Sequence, residues 1–141
     1  MPTITKLMLQ EHGKIRSLLE ELDRTYDKEQ FTKLFNKFKW TLEKHFFIEE
    51  KVIFGLYEGE ENIENINTLL KEHKNIFLLV KNAEDALDEG DFDKSKFQDL
   101  KTTLESHADF ESNVLYPRLD EELDEDLKKL MIDRANEIIK E

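Results

Sequence analysis

The segments TLEKHFFIEEKV at residues 41–52 and TLESHADFESNV at residues 103–114 are two versions of one pattern. When Thr41 is aligned with Thr103, both segments carry a histidine and a glutamate four positions apart: His45 with Glu49, and His107 with Glu111. The surrounding apolar residues recur every three or four positions, which is typical of an amphipathic helix. Residues four apart lie one helical turn apart on nearly the same face. Each segment is therefore predicted to carry a histidine and a glutamate side by side.

A second repeated element precedes each of these segments. The dipeptide Glu-His occurs at 11–12 and again at 72–73, so its two copies are separated by almost the same distance along the chain as the two longer segments. The chain has 4 histidines, and all of them fall in the repeated pattern. We therefore interpret the chain as one domain made of two pseudo-repeats, at about 5–57 and 63–117, followed by a C-terminal helix at about 121–140.

Start and stop signals divide the chain into four long helices and a shorter fifth one. The first helix is expected to begin between Thr3 and Thr5. The predicted capping residues of the next three helices are Asp27, Asn62 and Asp93. The predicted ends are Gly55 and Gly59 for the second helix, Gly90 for the third and Pro117 for the fourth. Short connections between long helices favour an all-α, up-down-up-down four-helix bundle, across which the short C-terminal helix docks.

Composition limits what the protein can bind. A chain of 141 residues can form one domain with a sizeable core. Its net charge of -12 would repel nucleic acid and anionic membranes, so we expect neither as a partner, and no protein partner can be identified. The absence of cysteine excludes thiolate ligands and a cysteine nucleophile. No secretory signal or spanning apolar run is recognisable, so we expect a cytoplasmic location.

Four imidazoles and two carboxylates are predicted to point into the core, because their neighbours on each helix face are apolar. A single such His-Glu pair is usually a solvated helical contact, and a single inward histidine is usually a core residue. The matched repetition instead favours a dinuclear metal site, since buried carboxylates are costly unless they are paired or bound to metal. The predicted metal ligands are His12, His45, Glu49, His73, His107 and Glu111. No catalytic residue is assigned.

The ordered pattern H…HxxxE…H…HxxxE, over about the first 118 residues, resembles the hemerythrin family, also described as the HHE cation-binding domain. The resemblance implies a non-haem di-iron site inside a four-helix bundle. It further implies that Glu49 and Glu111 bridge the two iron ions, with an oxo or hydroxo species between them. By position, the terminal ligands would be His12 and His45 on one iron, and His73 and His107 on the other.

Two departures from the oxygen carriers of that family bear on function. The carriers place another histidine one turn after the histidine of the third helix, where this chain has Phe77. Their second bridging carboxylate is an aspartate five residues after its histidine, where this chain has Glu111 at four. The resemblance then implies a nearly symmetric pair of irons with two imidazoles each and an open position on each metal. This disfavours reversible O2 carriage.

Three functions remain open. The first is a binding or sensing module that interacts with O2, peroxide, nitric oxide or iron itself. The second is a di-iron oxidase or peroxidase-like enzyme, for which Tyr26, Tyr57 or Tyr116 could serve as a redox relay. The third is a bundle with structural zinc, which is least favoured because tetrahedral zinc does not need six ligands. Secondary candidates for an additional ligand are Glu11, Glu50 and Glu72.

Overall fold

The computed structural model describes residues 3–90 and 94–140, and it is all-helical over these residues, as predicted. Its helices are α1 (Ile4–Asp23), α2 (Lys28–Ile48), α3 (Ile63–Asp88), α4 (Lys94–Phe110), α5 (Tyr116–Glu122) and α6 (Glu125–Lys140). Two π-helical segments, π1 (Glu49–Ile53) and π2 (Glu111–Leu115), directly continue α2 and α4. Among the described residues, no helix is both long and apolar enough to cross a membrane.

Four long helical rods form the predicted bundle. They are α1, α2 with π1, α3, and α4 with π2 and α5. Consecutive rods pack against each other, α1 on α2 and α3 on α4, and the rod made of α4, π2 and α5 returns to α1. The sixth helix packs against α1, α2 and π1, as expected for a C-terminal helix that docks on the bundle. The spacing of apolar residues in α6 predicts an inward-facing stripe that includes Leu130, but Leu130 is exposed, and Ile132 is buried.

Several helix ends agree with the sequence signals. The side chain of Thr3 accepts a hydrogen bond from the N–H of Lys6, at 3.0 Å, and so caps α1. Asp27 caps α2 in the same way, through the N–H of Gln30 at 3.0 Å. Gly90, just after α3, has φ of 84°, a left-handed conformation that suits glycine and stops the helix. The predicted cap Asp93 lies outside the described residues.

Asn62 precedes α3, but the prediction that its side chain caps this helix is wrong. Its Nδ2 instead donates to Glu122 Oε1 at 2.8 Å, and its N–H donates to Tyr57 Oη at 2.9 Å. Tyr57 Oη in turn donates to Glu122 at 2.7 Å. These contacts hold the loop after π1 against the end of α5. Because the Asn62 amide bonds to Glu122, which is distant in sequence, it does not cap α3, and no local sequence pattern predicts this partner.

The prediction that the fourth helical rod stops near Pro117 is also wrong. This proline lies in the first turn of α5, and the rod continues to Glu122. The preceding π2 segment already breaks the regular hydrogen-bond ladder, because the N–H of Tyr116 bonds to the oxygen of Glu111 five residues earlier. Proline is tolerated in the first turn of a helix, where its missing N–H is least costly.

The apolar core is divided into two clusters. One, the α6 cluster, joins Ile4, Ile53, Tyr116 and Met131 with their buried neighbours; the other, the phenylalanine cluster, is built around Phe31, Phe35, Phe38, Phe46 and Phe97. Along the chain, each histidine lies between a residue of one cluster and a residue of the other. The flanking pairs are Met8 and Ile15 for His12, Leu42 and Ile48 for His45, Leu69 and Ile76 for His73, and Leu104 and Leu115 for His107. The polar side chains therefore form a layer between two apolar regions.

The first turn of α1 is held from the opposite end of the chain. The carboxylate of Asp120 accepts hydrogen bonds from the N–H groups of Ile4 at 2.8 Å and Thr5 at 3.0 Å, and from Thr5 Oγ1 at 2.6 Å. The first N–H groups of a helix have no partner within the helix, and negative charge is favourable there. Asp120 therefore joins α1 to α5.

We expect Asp120→Ala to lower the free energy of unfolding by about 1–2 kcal/mol, the usual cost of losing a helix cap. Urea denaturation followed by far-ultraviolet circular dichroism measures the effect. Glu121→Ala is the matched control, because Glu121 is exposed and also lies on α5. Equal stabilities of the two variants would contradict a specific role of Asp120.

Candidate metal centre

The fold brings the six predicted ligands together. They come from four rods: His12 from α1, His45 and Glu49 from α2 and π1, His73 from α3, and His107 and Glu111 from α4 and π2. All six are buried, and both glutamates are 0% exposed. Within each of two groups that share Glu111, the candidate ligand atoms lie within 4.8 Å of one another: Glu49, His73, His107 and Glu111, and His12, His45 and Glu111.

Both carboxylates lie between the two pairs of histidines. Each uses its Oε1 atom to contact one histidine of each pair. The distances to the histidine Nε2 atoms are 3.0 Å for His45 and 3.4 Å for His73 from Glu49, and 3.3 Å for both His12 and His107 from Glu111. A carboxylate in this position is within reach of cations on either side of it.

Buried polar atoms without a hydrogen-bonding partner are concentrated in this layer. Among the described residues they are His12 Nε2, His45 Nδ1, Glu49 Oε1, His73 Nε2, His107 Nε2, and Glu111 Oε1 and Oε2. Each such atom costs about 1–3 kcal/mol, and native structures contain few of them. Imidazole nitrogens and carboxylate oxygens are donors of lone pairs to metal ions. The donor set therefore fits metal binding.

The two buried carboxyl groups have pKa values shifted in opposite directions. Burial raises the pKa of Glu111 well above its usual value, and the charge of Glu49 raises it further. Burial also acts to raise the pKa of Glu49, but the charge of His45 and the adjacent carboxyl group of Glu111 outweigh it and hold this pKa well below its usual value. Like charges so close together cannot both persist without compensation, and cations in the layer would allow both carboxyl groups to ionise.

Two histidines differ in basicity. Burial lowers the pKa of His12. Burial acts in the same direction on His107, but the carboxyl group of Glu111, 3.3 Å from its Nε2 atom, outweighs burial, so the pKa of His107 is raised. Imidazole binds a metal ion only when it is neutral. Protons therefore compete with a cation for His107 at a higher pH than for His12.

Two carboxylates orient the imidazoles of one pair from behind. Glu50 Oε2 lies 3.2 Å from His73 Nδ1, and Glu72 Oε1 lies 2.7 Å from His107 Nδ1. A hydrogen bond at Nδ1 fixes the tautomer and the ring orientation, and it leaves Nε2 free for a metal ion. Glu50 and Glu72, which the sequence offered as additional ligands, thus lie on the far side of the rings from the carboxylate layer.

The other pair of histidines has weaker support. His12 Nδ1 lies 3.0 Å from Ser112 Oγ, a neutral hydroxyl. His45 Nδ1 has no hydrogen-bonding partner among the residues that the structure describes. Glu11, the third secondary candidate for a ligand, pairs instead with Lys14 Nζ at 2.6 Å. Sequence reasoning missed these differences, although the Glu-His dipeptides and the residues that follow Glu49 and Glu111 were visible in it.

Each π segment begins at one of the candidate carboxylates. Such segments are rare and occur most often at functional sites. A π turn contains an extra residue, so the inward face shifts after it. Leu115 is fully buried, whereas Val114, which a regular helix would direct inward, is only half-buried. The 3.6-residue periodicity of the sequence gave no sign of this shift.

Tyr116, immediately after π2, is the tyrosine that reaches the layer. Its hydroxyl donates a short hydrogen bond to Glu49 Oε2, and its side chain is fully buried. Burial and the charges of the two carboxylates raise the pKa of Tyr116 well above its usual value, so the phenol stays protonated and acts as a donor. Of the other two relay candidates, Tyr26 is 78% exposed and Tyr57 bonds to Glu122.

Phe46 covers one side of the layer. Its ring stacks on that of His73 with 3.8 Å between centroids, and it meets the ring of Phe77 edge-on at 5.1 Å. Phe77, which occupies the position of the carriers' additional histidine, thus packs against Phe46. Phe46 therefore contacts both residues at this turn of α3.

A small cavity also reaches the layer, and Phe46 is one of its lining residues. Its volume is about 30 Å³, room for one or two water molecules. Four of its lining residues belong to the layer, His12, His45, His107 and Glu111, and its outer lining includes Arg16 and Glu105, which are both exposed. Only a very small molecule can approach the layer by this route without a rearrangement of the helices.

Comparison with known proteins agrees with this geometry. The family model of the hemerythrin HHE cation-binding domain matches residues 3–119, a range that contains all six side chains of the layer. Neither the curated proteins nor the solved structures give a significant match. The family match covers most of the chain and confirms the resemblance identified from the His and Glu pattern. This chain belongs to the hemerythrin HHE cation-binding domain family.

Proposed function

We propose that the buried layer binds two non-haem iron ions and that the protein is a binding or sensing module for a small ligand. The proposed terminal ligands are His12 and His45 for one ion and His73 and His107 for the other, with Glu49 and Glu111 shared. The main support is the concentration of buried polar atoms without partners in these six side chains. Membership of a cation-binding family adds to it.

The donor set favours iron over zinc. Structural zinc sites are four-coordinate and closed, and many contain thiolates, whereas this layer offers four imidazoles and two carboxylates that lie between them. Mixed imidazole and carboxylate ligands with open positions are typical of non-haem iron. When bound, iron supplies reversible electron transfer and reactivity toward O2, peroxide and nitric oxide. We therefore consider a structural zinc site less favoured than a di-iron centre.

The protein residues restrict what can reach the centre. Phe46 closes the His73 side, and the cavity beside His12 admits only molecules of a few atoms. O2, peroxide and nitric oxide are of this size. Reversible O2 carriage is disfavoured, because position 77 supplies no third imidazole and lies against Phe46. Iron itself remains a candidate for the physiological ligand.

A di-iron oxidase or peroxidase-like enzyme is the second candidate, and one contact favours it. Tyr116 donates to Glu49 from a fully buried position. A phenol in contact with a candidate ligand can supply a proton or an electron to the reacting centre. The same contact also has a positioning role, since it fixes one oxygen of Glu49 and leaves Oε1 to face His45 and His73.

The metal stoichiometry tests the main proposal. Anaerobic reconstitution with ferrous iron should saturate at two ions per chain. Glu49→Ala should reduce the affinity for both ions, because Glu49 contacts a histidine of each pair. Glu43→Ala is the control, since Glu43 is an exposed glutamate of the same rod. Full occupancy in Glu49→Ala would show that the ligands lie elsewhere.

Acid should release the metal. Protons compete for imidazole, so occupancy should fall as the pH decreases through about 6.5 and below. Because the pKa of His107 is raised and that of His12 is lowered, protonation of His107 should contribute at the higher end of this range. Equilibrium dialysis between pH 7.5 and 5 measures the loss. Constant occupancy across this interval would exclude histidine ligation.

The two candidate functions differ in turnover. A binding module should consume peroxide or O2 at most in proportion to its iron, and Tyr116→Phe should not change the amount consumed. An enzyme should consume many equivalents when a reductant is supplied, and Tyr116→Phe should then slow it. An oxygen electrode and a peroxide assay separate the two outcomes. Tyr57→Phe is the matched control, because Tyr57 bonds to Glu122 and not to the layer.

A further inference from the structure

The two metal positions of the proposed centre have matched ligands but different surroundings. We infer, on the basis of the proposed function, that the position between His73 and His107 binds its ion first and tightly. The position between His12 and His45 holds an exchangeable ion, which enters and leaves through the neighbouring cavity. The centre is then half-filled when iron is scarce and complete when iron is abundant, so occupancy of the second position reports iron availability.

Carboxylates support only the first position. Glu50 and Glu72 each lie within hydrogen-bonding distance of an Nδ1 atom, at 3.2 and 2.7 Å. They fix the rings of His73 and His107 and add two negative charges close to the proposed cation. Loss of such a partner typically costs about 10–100-fold in metal affinity.

The repeat itself shows what the second position lacks. Each of the residues Glu50 and Ser112 directly follows a candidate carboxylate, but Ser112 supports His12 Nδ1 with a neutral hydroxyl. Each of the residues Glu72 and Glu11 directly precedes a candidate histidine, but Glu11 pairs with Lys14 and does not reach a histidine. At the second position, Ser112 therefore stands in place of one supporting carboxylate, and the other, Glu11, pairs with Lys14 instead of with a histidine.

Other charges near His12 do not compensate for this difference. Glu11 is balanced by Lys14 at 2.6 Å. Arg16 and Asp109 act on His12 with opposite signs, and both are at least partly exposed, so water screens them. Among the described residues, no carboxylate outside the layer lies within hydrogen-bonding distance of His12 or His45, whereas Glu50 and Glu72 do so for His73 and His107.

Access to solvent differs in the same direction. The cavity of about 30 Å³ is lined by both histidines of the second position, His12 and His45, whereas of the first position's two histidines His107 lines it and His73 does not. The ring of His73 is instead covered by Phe46, with 3.8 Å between centroids. An ion between His12 and His45 therefore has both of its imidazoles on the route to solvent, whereas an ion between His73 and His107 has one imidazole on this route and one covered by Phe46.

The test is an anaerobic titration of the metal-free full-length chain with Co²⁺, whose visible absorption reports binding, in competition with a chelator. The parent should bind two ions in distinct steps, separated by about 10-fold or more in affinity. Glu50→Gln and Glu72→Gln should each weaken the tight step by about 10–100-fold, with a smaller effect on the weak step. Glu43→Gln, which removes the same charge from an exposed position, should change neither step.

A reciprocal variant tests the same cause in the opposite direction. Ser112→Glu gives His12 the carboxylate that His73 has, and it should strengthen the weak step and bring the two affinities together. His12→Ala should keep the tight step and lose the weak one, and His107→Ala should do the reverse. Circular dichroism of each metal-free variant checks that the helices persist.

The outcomes separate this inference from the proposed function. Two ions bound with equal affinity in the parent, or Glu50→Gln and Glu72→Gln weakening both steps equally, would overturn the inference and leave the two-ion centre intact. Loss of the tight step in His12→Ala would also overturn it, since the order of the positions would be reversed. A parent that binds fewer than two ions would overturn the proposed function itself, and this inference with it.

Discussion

The structure depends on the burial of two carboxylates side by side, neither of which is exposed at the surface. A buried charge is tolerated only when it is paired or bound to metal. Glu49 and Glu111 are surrounded by four imidazoles, and the charge of Glu49 contributes to the raised pKa of Glu111. No single helix can supply this environment. The layer needs side chains from four rods. The packing of the bundle places these side chains at the same level along the four rods.

The two apolar clusters cover the layer on either side and leave the small cavity beside His12 as its described approach from solvent. They also hold the rods at the depth where the six polar side chains meet. Hydrogen bonds between residues distant in sequence then fix the ends of the bundle. Asp120 accepts hydrogen bonds from the first turn of α1, and Glu122 accepts hydrogen bonds from Tyr57 and Asn62. Because α5 supplies both anchors, the continuation of the fourth rod past Pro117 is part of what positions the layer.

The two halves of the layer are alike in their inward-facing atoms and unlike in the groups behind them. Glu50 and Ser112 occupy corresponding positions and contact corresponding nitrogens, but one is an anion and the other is neutral. Glu72 contacts His107, whereas Glu11 is held by Lys14. A repeated pattern of histidine and glutamate therefore does not require that the two halves of the layer have equivalent surroundings. The predicted near-symmetry applies to the inward-facing side chains and not to their hydrogen-bonding partners.

Patterns along the chain were enough to predict the all-helical bundle, several helix ends and the six side chains that converge. These features follow from helical periodicity, from local signals such as Thr3, Asp27 and Gly90, and from the repeated spacing of histidine and glutamate. The internal duplication stays a prediction. Other features became visible only in the folded molecule, because they depend on contacts between distant residues: the π turns that shift Leu115 inward, the bond from Tyr116 to Glu49, the diversion of Asn62 to Glu122, and the position of Phe46 between His73 and Phe77. These features share one physical reason. Each depends on which faces of different helices meet, and the pattern along one helix does not specify the helix that it packs against.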